Sequence, residues 1–553
     1  MSSARTSTAT LDRTAPAERR WLVLVVVAVA QLMLVLDGTI VNIALPSAQQ
    51  ALSFSNGDRQ WVVTAYALSF GSLLLVGGRL GDMFSRKWVF IAGLVGFAIA
   101  SAIGGAAGSF VVLVAARTLQ GAFGAVLAPA ALGTLVSTFI DPRERGRAFG
   151  VFGSVAAGGS AIGLVLGGVL TQYLSWRWCL YVNLVFATIA AAGALAYLQG
   201  GRPASRPRMD WPGAVLACAG LFAIVFGFSQ AETAGWTAAL TVGSLVGGVV
   251  LLVGFVVAEQ RVAHPLLPLR VIVDRARGGA YVAVGISGMA IFGTFLFLTF
   301  YLQVVKGFSP LTTGLLFLPM TASILISSNL SSSIGLGPRI LIAAGMLLSA
   351  AGMALLTQVT VTSSYVSGVL PALIVLGLGL GQIFAQAINT ATAGVAREDS
   401  GVASALVNTM QQVGGAIGTA ALSTVALNAM ASYLIGHDAG PEAQAIAATY
   451  GYTVAFGVSA GLLVIGFILA IVLVPSRQRL ADLGNAGAAT PAEPIHAPAA
   501  ATPAIAPTPQ PVSEAIPVAL CSCSPLVHPV AGSSRNGNPP ARQSFGPRPG
   551  ADA

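Results

Sequence analysis

Apolar residues in this chain come in long, nearly unbroken blocks closed by short polar gaps, without the two-residue alternation of half-buried strands. Blocks long enough to cross a hydrocarbon core about 30 Å thick lie at 21–46, 60–78, 88–107, 111–136, 149–173, 178–199, 211–230, 239–258, 279–304, 311–331, 340–358, 366–392, 401–428 and 453–475. The pattern predicts an all-α membrane protein with fourteen spanning helices. The first block opens at Trp21, is too long for the core of a signal peptide and lacks a convincing cleavage site, so it is expected to be retained. The spans at 211–230 and 239–258 are the poorest in polar residues and stand between two blocks of six, which reads as an insertion joining two six-helix bundles. Beyond Arg479 the chain turns to Ala, Pro, Ser and Thr without apolar periodicity, and such a segment buries too little surface to fold. The expected organisation is an N-terminal tail at 1–20, a bundle at 21–199, a linker with the two extra spans at 200–276, a second bundle at 277–475 and a disordered tail at 476–553.

Composition fixes the solvent: of 553 residues 55% are hydrophobic and only 8% charged, too few charges for a soluble globular surface. The net charge of +9 would ordinarily suggest nucleic acid as a partner, but the basic residues are nearly all arginines confined to gaps between spans. Alternate gaps hold Arg79, Arg86 and Lys87, then Arg143, Arg145 and Arg147, then Arg202, Arg206 and Arg208, then Arg261, Arg270, Arg275 and Arg277. The gaps between them hold Arg59, Arg177, Lys306, Glu232, Asp438 and Glu442. Positive residues accumulate in cytoplasmic loops, so both termini are expected in the cytoplasm, with the lipid bilayer and not nucleic acid as the macroscopic partner.

Candidate enzyme chemistry is thin. Four histidines lie in loops or the tail (His264, His437, His496, His528), and the four cysteines show no disulfide framework or zinc spacing. Gly377-Leu378-Gly379-Leu380-Gly381 lies inside an apolar span without the strand–loop–helix setting of a nucleotide loop, and there is no P-loop. The expectation is a protein that is not an enzyme, holds no cofactor or metal, works as a monomer and draws energy from an ion gradient.

The exception to the apolar pattern is Asp37, inside the first span. A charge at that depth costs about 2.5–3.5 kcal/mol on insertion scales, so a functional site is the first hypothesis. A plain helix–helix hydrogen bond shared with Thr39 or Asn42 is the alternative. The fourth span carries a second buried charge, Arg117. Counting from Trp21, Asp37 lies about 24 Å from the inner face at 1.5 Å per residue. Counting from Val111 at the outer face, Arg117 lies roughly 9 Å down a core of about 30 Å, which puts both at one level. Gln120, a turn beyond Arg117, is a second partner for the aspartate. The alternative for Arg117 is snorkelling to the outer headgroups.

These residues sit in segments that together resemble the fourteen-helix drug:proton antiporters of the major facilitator superfamily. The segments are Leu36-Asp37-Gly38-Thr39-Ile40-Val41-Asn42-Ile43-Ala44-Leu45-Pro46, Gln60-Trp61-Val62-Val63-Thr64-Ala65-Tyr66, Trp176-Arg177-Trp178, Tyr301-Leu302-Gln303 and Asn408-Thr409-Met410-Gln411-Gln412-Val413-Gly414-Gly415. The segment Arg117-Thr118-Leu119-Gln120-Gly121-Ala122-Phe123-Gly124 is similar to that family's fourth-helix motif. The resemblance covers about 21–475 and implies two pseudo-symmetric bundles rocking about a central cavity in the inner (plasma) membrane. It also implies export of small amphipathic molecules such as drugs against proton entry, with Asp37 as proton carrier and Arg117 as its counter-charge. Gly78-Arg79-Leu80-Gly81-Asp82-Met83-Phe84-Ser85-Arg86-Lys87 resembles the superfamily's most widespread loop, a conformational latch in which Gly78 permits a tight turn and Asp82 accepts from Arg86 or from a facing helix end, beside Lys87. The second-half counterpart, 333–339, has no acidic residue, so the latch is expected to be asymmetric. Gly159, Gly163, Gly167 and Gly168 match the exporter motif of the fifth helix, with Leu164 where proline is usual; small residues four apart also serve close packing alone. Candidates for lining the substrate cavity are Asn42, Tyr66, Gln120, Phe295, Tyr301, Gln303, Gln382, Gln386, Asn389, Asn408 and Gln411, with interhelical hydrogen bonding as an equal alternative for the amides. Rival functions on the same fold are a proton-coupled importer, a lipid exporter and a non-transporting receptor.

Overall fold

The computed structural model describes residues 17–200, 210–262, 266, 267, 272, 274–331, 336–392, 395, 400–435 and 440–474. The expected tail at 476–553, most of that at 1–20 and the glycines of the 333–339 loop other than Gly337 lie outside the described residues. The helices are α1 (Ala17–Leu52), α2 (Arg59–Met83), α3 (Arg86–Gly105), α4 (Phe110–Thr138), α5 (Pro142–Tyr173), α6 (Trp178–Tyr197), α7 (Trp211–Ala234) and α8 (Ala239–Glu259). They continue with α9 (Arg275–Phe300), α10 (Pro310–Leu316), α11 (Leu318–Ser331), α12 (Pro338–Leu356), α13 (Leu370–Thr392), α14 (Ser400–Leu434) and α15 (Pro441–Leu473). Fourteen spans are long and apolar enough to cross a membrane, α10 and α11 together forming one, and no strand occurs among the described residues. With every peptide group bonded inside its own segment, this is the only open-ended architecture a hydrocarbon core tolerates besides a closed barrel.

The helices overrun the apolar blocks where a capped polar turn precedes them. Asp141 accepts from the N–H groups of Arg143 and Glu144, and Pro142 takes the first turn, so α5 begins seven residues before the apolar block expected at 149. Pro441 similarly starts α15 well ahead of 453. Pro46 does not end α1, which runs on to Leu52. The segment expected to be a loop from Gly78 is helical through Met83, and only Phe84 and Ser85 separate α2 from α3. A π turn, Tyr301–Val305, extends α9, and another, Tyr365–Val369, leads into α13.

Helices α1–α6 pack mainly on one another, as do α9–α15; α7 and α8 pack as a pair, with α7 leaning on α2 and α14. The two bundles touch along α2 and α14, where the Gly71 face meets Gln412 and Val413, and where α5 crosses α10. One face of the bundle carries the start of α1 and the arginine-bearing gaps; it is called the arginine-rich face below. Toward the opposite, arginine-poor face a single apolar cluster joins the bundles, running from Ile43, Leu45 and Val62 to Leu296, Phe297 and Phe456. On the arginine-rich half, α5 stands away from its neighbours: a side chain added at Gly146, Gly150, Gly153 or Gly158 would meet nothing within 4 Å. A cleft of about 730 Å³ opens there, lined by Trp21, Leu32, Arg147, Ser154 and Ile162 among others.

Candidate functional site

Three glycines bring α5 against α1. Their missing side chains let Gly159 meet Leu32 and Val35, Gly163 meet Leu36 and Thr39, and Gly167 meet Ile40; a Cβ at Gly163 would lie 2.0 Å from the Thr39 hydroxyl oxygen. This contact covers one side of α1 and leaves Asp37, on another side, facing α4 and α6. There the carboxylate is fully buried (0% exposed) and meets three donors. Arg117 Nη1 donates to Oδ2 at 2.6 Å, while Gln120 Nε2 and Asn183 Nδ2 donate to Oδ1 at 3.0 and 2.7 Å.

Arg117 is equally dry, at 2% exposure, and its own hydrogen bonds fan outward. Nε donates to the Val62 carbonyl on α2 at 3.1 Å, Nη1 also reaches Gln120 Oε1 at 3.0 Å, and the guanidinium carbon lies 4.3 Å from the centroid of the Tyr66 ring. Gln120 completes the net by donating to Ser101 Oγ on α3 at 2.8 Å. A buried ion pair offsets its desolvation only when further hydrogen bonds satisfy the remaining lone pairs and protons, and here groups on five helices, α1, α2, α3, α4 and α6, supply them. The depth argument that set Asp37 beside Arg117, with Gln120 as second partner, matches this contact, and the snorkelling alternative does not. Asn183 and Ser101 were missed: each is an uncharged polar residue in a largely apolar helix, a signal shared by ordinary packing contacts. The alternative partners Thr39 and Asn42 turn to their own helix, bonding the carbonyls of Val35 and Leu36 and of Gly38.

The remaining candidates separate by surroundings. Tyr66 and Asn42 are buried, Tyr66 as the lid over Arg117. Gln303 Nε2 donates across the bundles to the Ile43 carbonyl at 2.9 Å, and the Tyr301 hydroxyl donates to the Thr360 carbonyl at 2.8 Å. Gln386 donates to Ser331 Oγ and Gln382 to the Ser327 carbonyl, so these amides tie α13 to α11. Phe295, tilted against Phe317, and Gln411 are half-buried, while Asn389 and Asn408 are exposed. Of the expected latch, Arg86 Nη1 donates to the Gly133 carbonyl and Lys87 Nζ to the Leu195 carbonyl near the end of α6, both within the first bundle; the Asp82 side chain lies outside the described residues. Gly78 is helical, with Pro129 of α4 its nearest neighbour.

At the arginine-poor face the crossing of α5 and α10 is tighter still. A Cβ at Gly168 would lie 2.5 Å from Leu311 Cα, and one at Gly314 would lie 2.3 Å from the Leu164 carbonyl oxygen, so Leu164, which stands where proline is usual in the exporter motif, is fully buried in the seam between bundles. Because the obstructing atoms are backbone, Gly168→Leu must push the helices apart, at a cost of about 1–3 kcal/mol for an overpacked contact. The expected result is a lengthened spin-label distance between α5 and α10; an unchanged distance contradicts the contact. Beside this seam Arg59 is buried at 1% exposure between the bundles. Its guanidinium lies 4.2 Å from the centroid of Phe300, and Nη1 donates to the Tyr452 hydroxyl at 3.2 Å; Nε and Nη2 have no hydrogen-bond partner.

A profile described as Major Facilitator Superfamily matches residues 27–419. The chain is 48% identical over 484 residues to the puromycin resistance protein of Streptomyces alboniger, covering 87% of this chain and 96% of that protein. It is 38% identical to a cephamycin export protein of Amycolatopsis lactamdurans, covering 77% and 88% of the two chains. A tetracenomycin C resistance and export protein of Streptomyces glaucescens is 34% identical, with 74% and 76% covered. Among solved structures, a bacterial homologue of the human lysosomal transporter Spinster superposes with a TM-score of 0.59 at 15% identity, covering 86% of this chain and 99% of that one, which speaks to the fold. On the breadth of the profile match and the near-complete span of these relatives, the chain belongs to the major facilitator superfamily and is a multi-pass membrane transporter rather than an enzyme.

Proposed function

We propose that this protein is a proton-driven exporter of antibiotic-like small molecules, acting as a monomer in the plasma membrane with its arginine-rich face and both termini in the cytoplasm. The observation that carries the reading is the Asp37 carboxylate, wholly buried yet held by Arg117, Gln120 and Asn183 from two other helices. Such a group exchanges a proton only when those helices part from α1, and that ties proton movement to helix movement. Uptake of a proton from the outside neutralises Asp37 and frees Arg117; release to the cytoplasm re-forms the pair. A proton moving inward supplies about 2.3 kcal/mol per 100 mV of membrane potential and about 1.4 kcal/mol per unit of pH difference, enough to drive a substantial cargo gradient. The names of the puromycin, cephamycin and tetracenomycin relatives support antibiotic-like cargo. The half-buried Phe295 and Gln411 and the exposed Asn389 and Asn408 are the cavity lining on this reading, and the cleft beside Trp21 and Arg147 is its cytoplasmic mouth.

The test is a susceptibility panel of lipophilic cations and antibiotics, puromycin among them, in a pump-deficient host with and without the chain. Raised resistance, lowered cellular accumulation and loss of both when a protonophore collapses the gradient are expected. Raised accumulation instead would make the chain an importer, and no change in accumulation of any compound would leave a receptor.

A further inference from the structure

Two acids bracket the inserted helix pair at the arginine-rich face, and the transport cycle proposed above uses neither. Asp210, immediately before α7, and Glu259, the last residue of α8, are each 4% exposed. Asp210 Oδ1 caps α7 by accepting from the Gly213 N–H at 3.0 Å, whereas its Oδ2 is buried without a hydrogen-bond partner. That bare oxygen points at Glu259: a Cβ at Gly213 would lie 2.3 Å from Asp210 Oδ2 and 3.0 Å from Glu259 Oε1, so both oxygens crowd one glycine. The two carboxyl groups are within hydrogen-bond reach of each other. The surrounding elements carry further charges, Arg79 and Asp82 at the end of α2, Glu232 at the far end of α7, and Arg261, Asp274, Arg275 and Arg277 after α8. Two carboxyl groups crowded together out of water disfavour being ionised at the same time, and a single proton held between them relieves that repulsion.

Glu259 also grips the chain beyond α8. Its Oε1 accepts from the Leu266 N–H at 3.2 Å and its Oε2 from the Leu267 N–H at 3.1 Å. The two leucine side chains then go separate ways. Leu266 is buried with Val76 and Ala214, against Leu73 and Leu80 of α2 in the first bundle. Leu267 is buried with Tyr281 of α9, Ala391 of α13 and Leu406 of α14 in the second.

We infer that Asp210 and Glu259 form a second proton-binding site, distinct from Asp37, whose shared proton keeps Leu266 and Leu267 seated across both bundles at the arginine-rich face. Loss of that proton leaves two like charges side by side out of water. They separate to regain hydration, and Glu259 leaves the two N–H groups it holds. The site binds its proton whatever the cargo, so its test does not pass through transport.

Full-length protein in proteoliposomes is titrated by infrared difference spectroscopy, reading the C=O band of a protonated carboxyl, and the exchange of the Leu266 and Leu267 amides is followed alongside, corrected for intrinsic rates. The wild type is expected to keep a protonated-carboxyl band at neutral pH that Asp37→Asn retains and Glu259→Gln loses. Asp210→Asn, which preserves the cap on α7, removes the same band and stands in if Glu259→Gln fails to reach the membrane. Amide exchange in the wild type should rise at least tenfold as the band is titrated away. In Glu259→Gln, where the amide donates to Asp210 and still accepts from one N–H, exchange should not respond to pH. A band unchanged in both variants, or absent from the wild type at neutral pH, overturns the proton site; exchange that ignores the band overturns its hold on the two leucines.

Discussion

Asp37→Asn is expected to reach the membrane and bind cargo within a few-fold of wild type, while cargo-induced proton movement in vesicles falls to the level of vesicles without protein. The substitution keeps the shape of the side chain and removes the carboxyl group that the proposed cycle protonates. Arg117 loses its counter-charge but keeps the Val62 carbonyl, Gln120 Oε1 and the Tyr66 ring, which is why folding should survive. The amide cannot satisfy every neighbour: its NH2 meets a donor, from Arg117 on one side or from Gln120 and Asn183 on the other, so a modest loss of thermal stability accompanies the loss of coupling. If the variant exchanges protons for cargo at the wild-type rate, proton coupling resides elsewhere in the chain.

Arg117→Ala should be the more damaging to the fold. It leaves Asp37 buried without an opposite charge, takes a side-chain donor from the Val62 carbonyl and empties the space under Tyr66. Breaking a buried pair by removing one partner costs about 3–5 kcal/mol, because the uncompensated charge remains behind. The sign of the coupling is tested by the double variant: Asp37→Asn combined with Arg117→Ala should recover much of the stability that Arg117→Ala alone loses. Thermal unfolding in detergent reads all three. A double variant whose loss of stability equals the sum of the two single losses would mean that the pair contributes nothing beyond its separate halves.

The spans were legible because a hydrocarbon solvent demands unbroken apolar stretches, and fourteen such stretches are found. Their ends were not, since Pro142 and Pro441 begin helices with polar or alanine-rich turns that carry no membrane signal. The fold pays for charge at depth with partners at the same depth, so counting residues was enough to set Arg117 beside Asp37. No comparable arithmetic singles out Asn183, which brings the shortest of the two amide bonds to Asp37, from a packing amide such as Gln386. Asp210 and Glu259 fall just outside the apolar stretches at 211–230 and 239–258, where an acid beside arginines carries no sign of burial, while the structure buries both. The latch motif was legible as a segment but not in its partners, because carbonyls at helix ends leave no mark in a sequence.

Arg59 gives the closed arginine-poor face a dependence on temperature. Wedged between Phe300 and Tyr452 with two nitrogens unpartnered, its guanidinium has surrendered water that it regains whenever that face opens. Hydration of a charged group carries a strongly negative entropy, so the free energy recovered on opening shrinks as the membrane warms. Through this one side chain, warming favours the closed face and cooling favours the open one, whatever cargo is being carried.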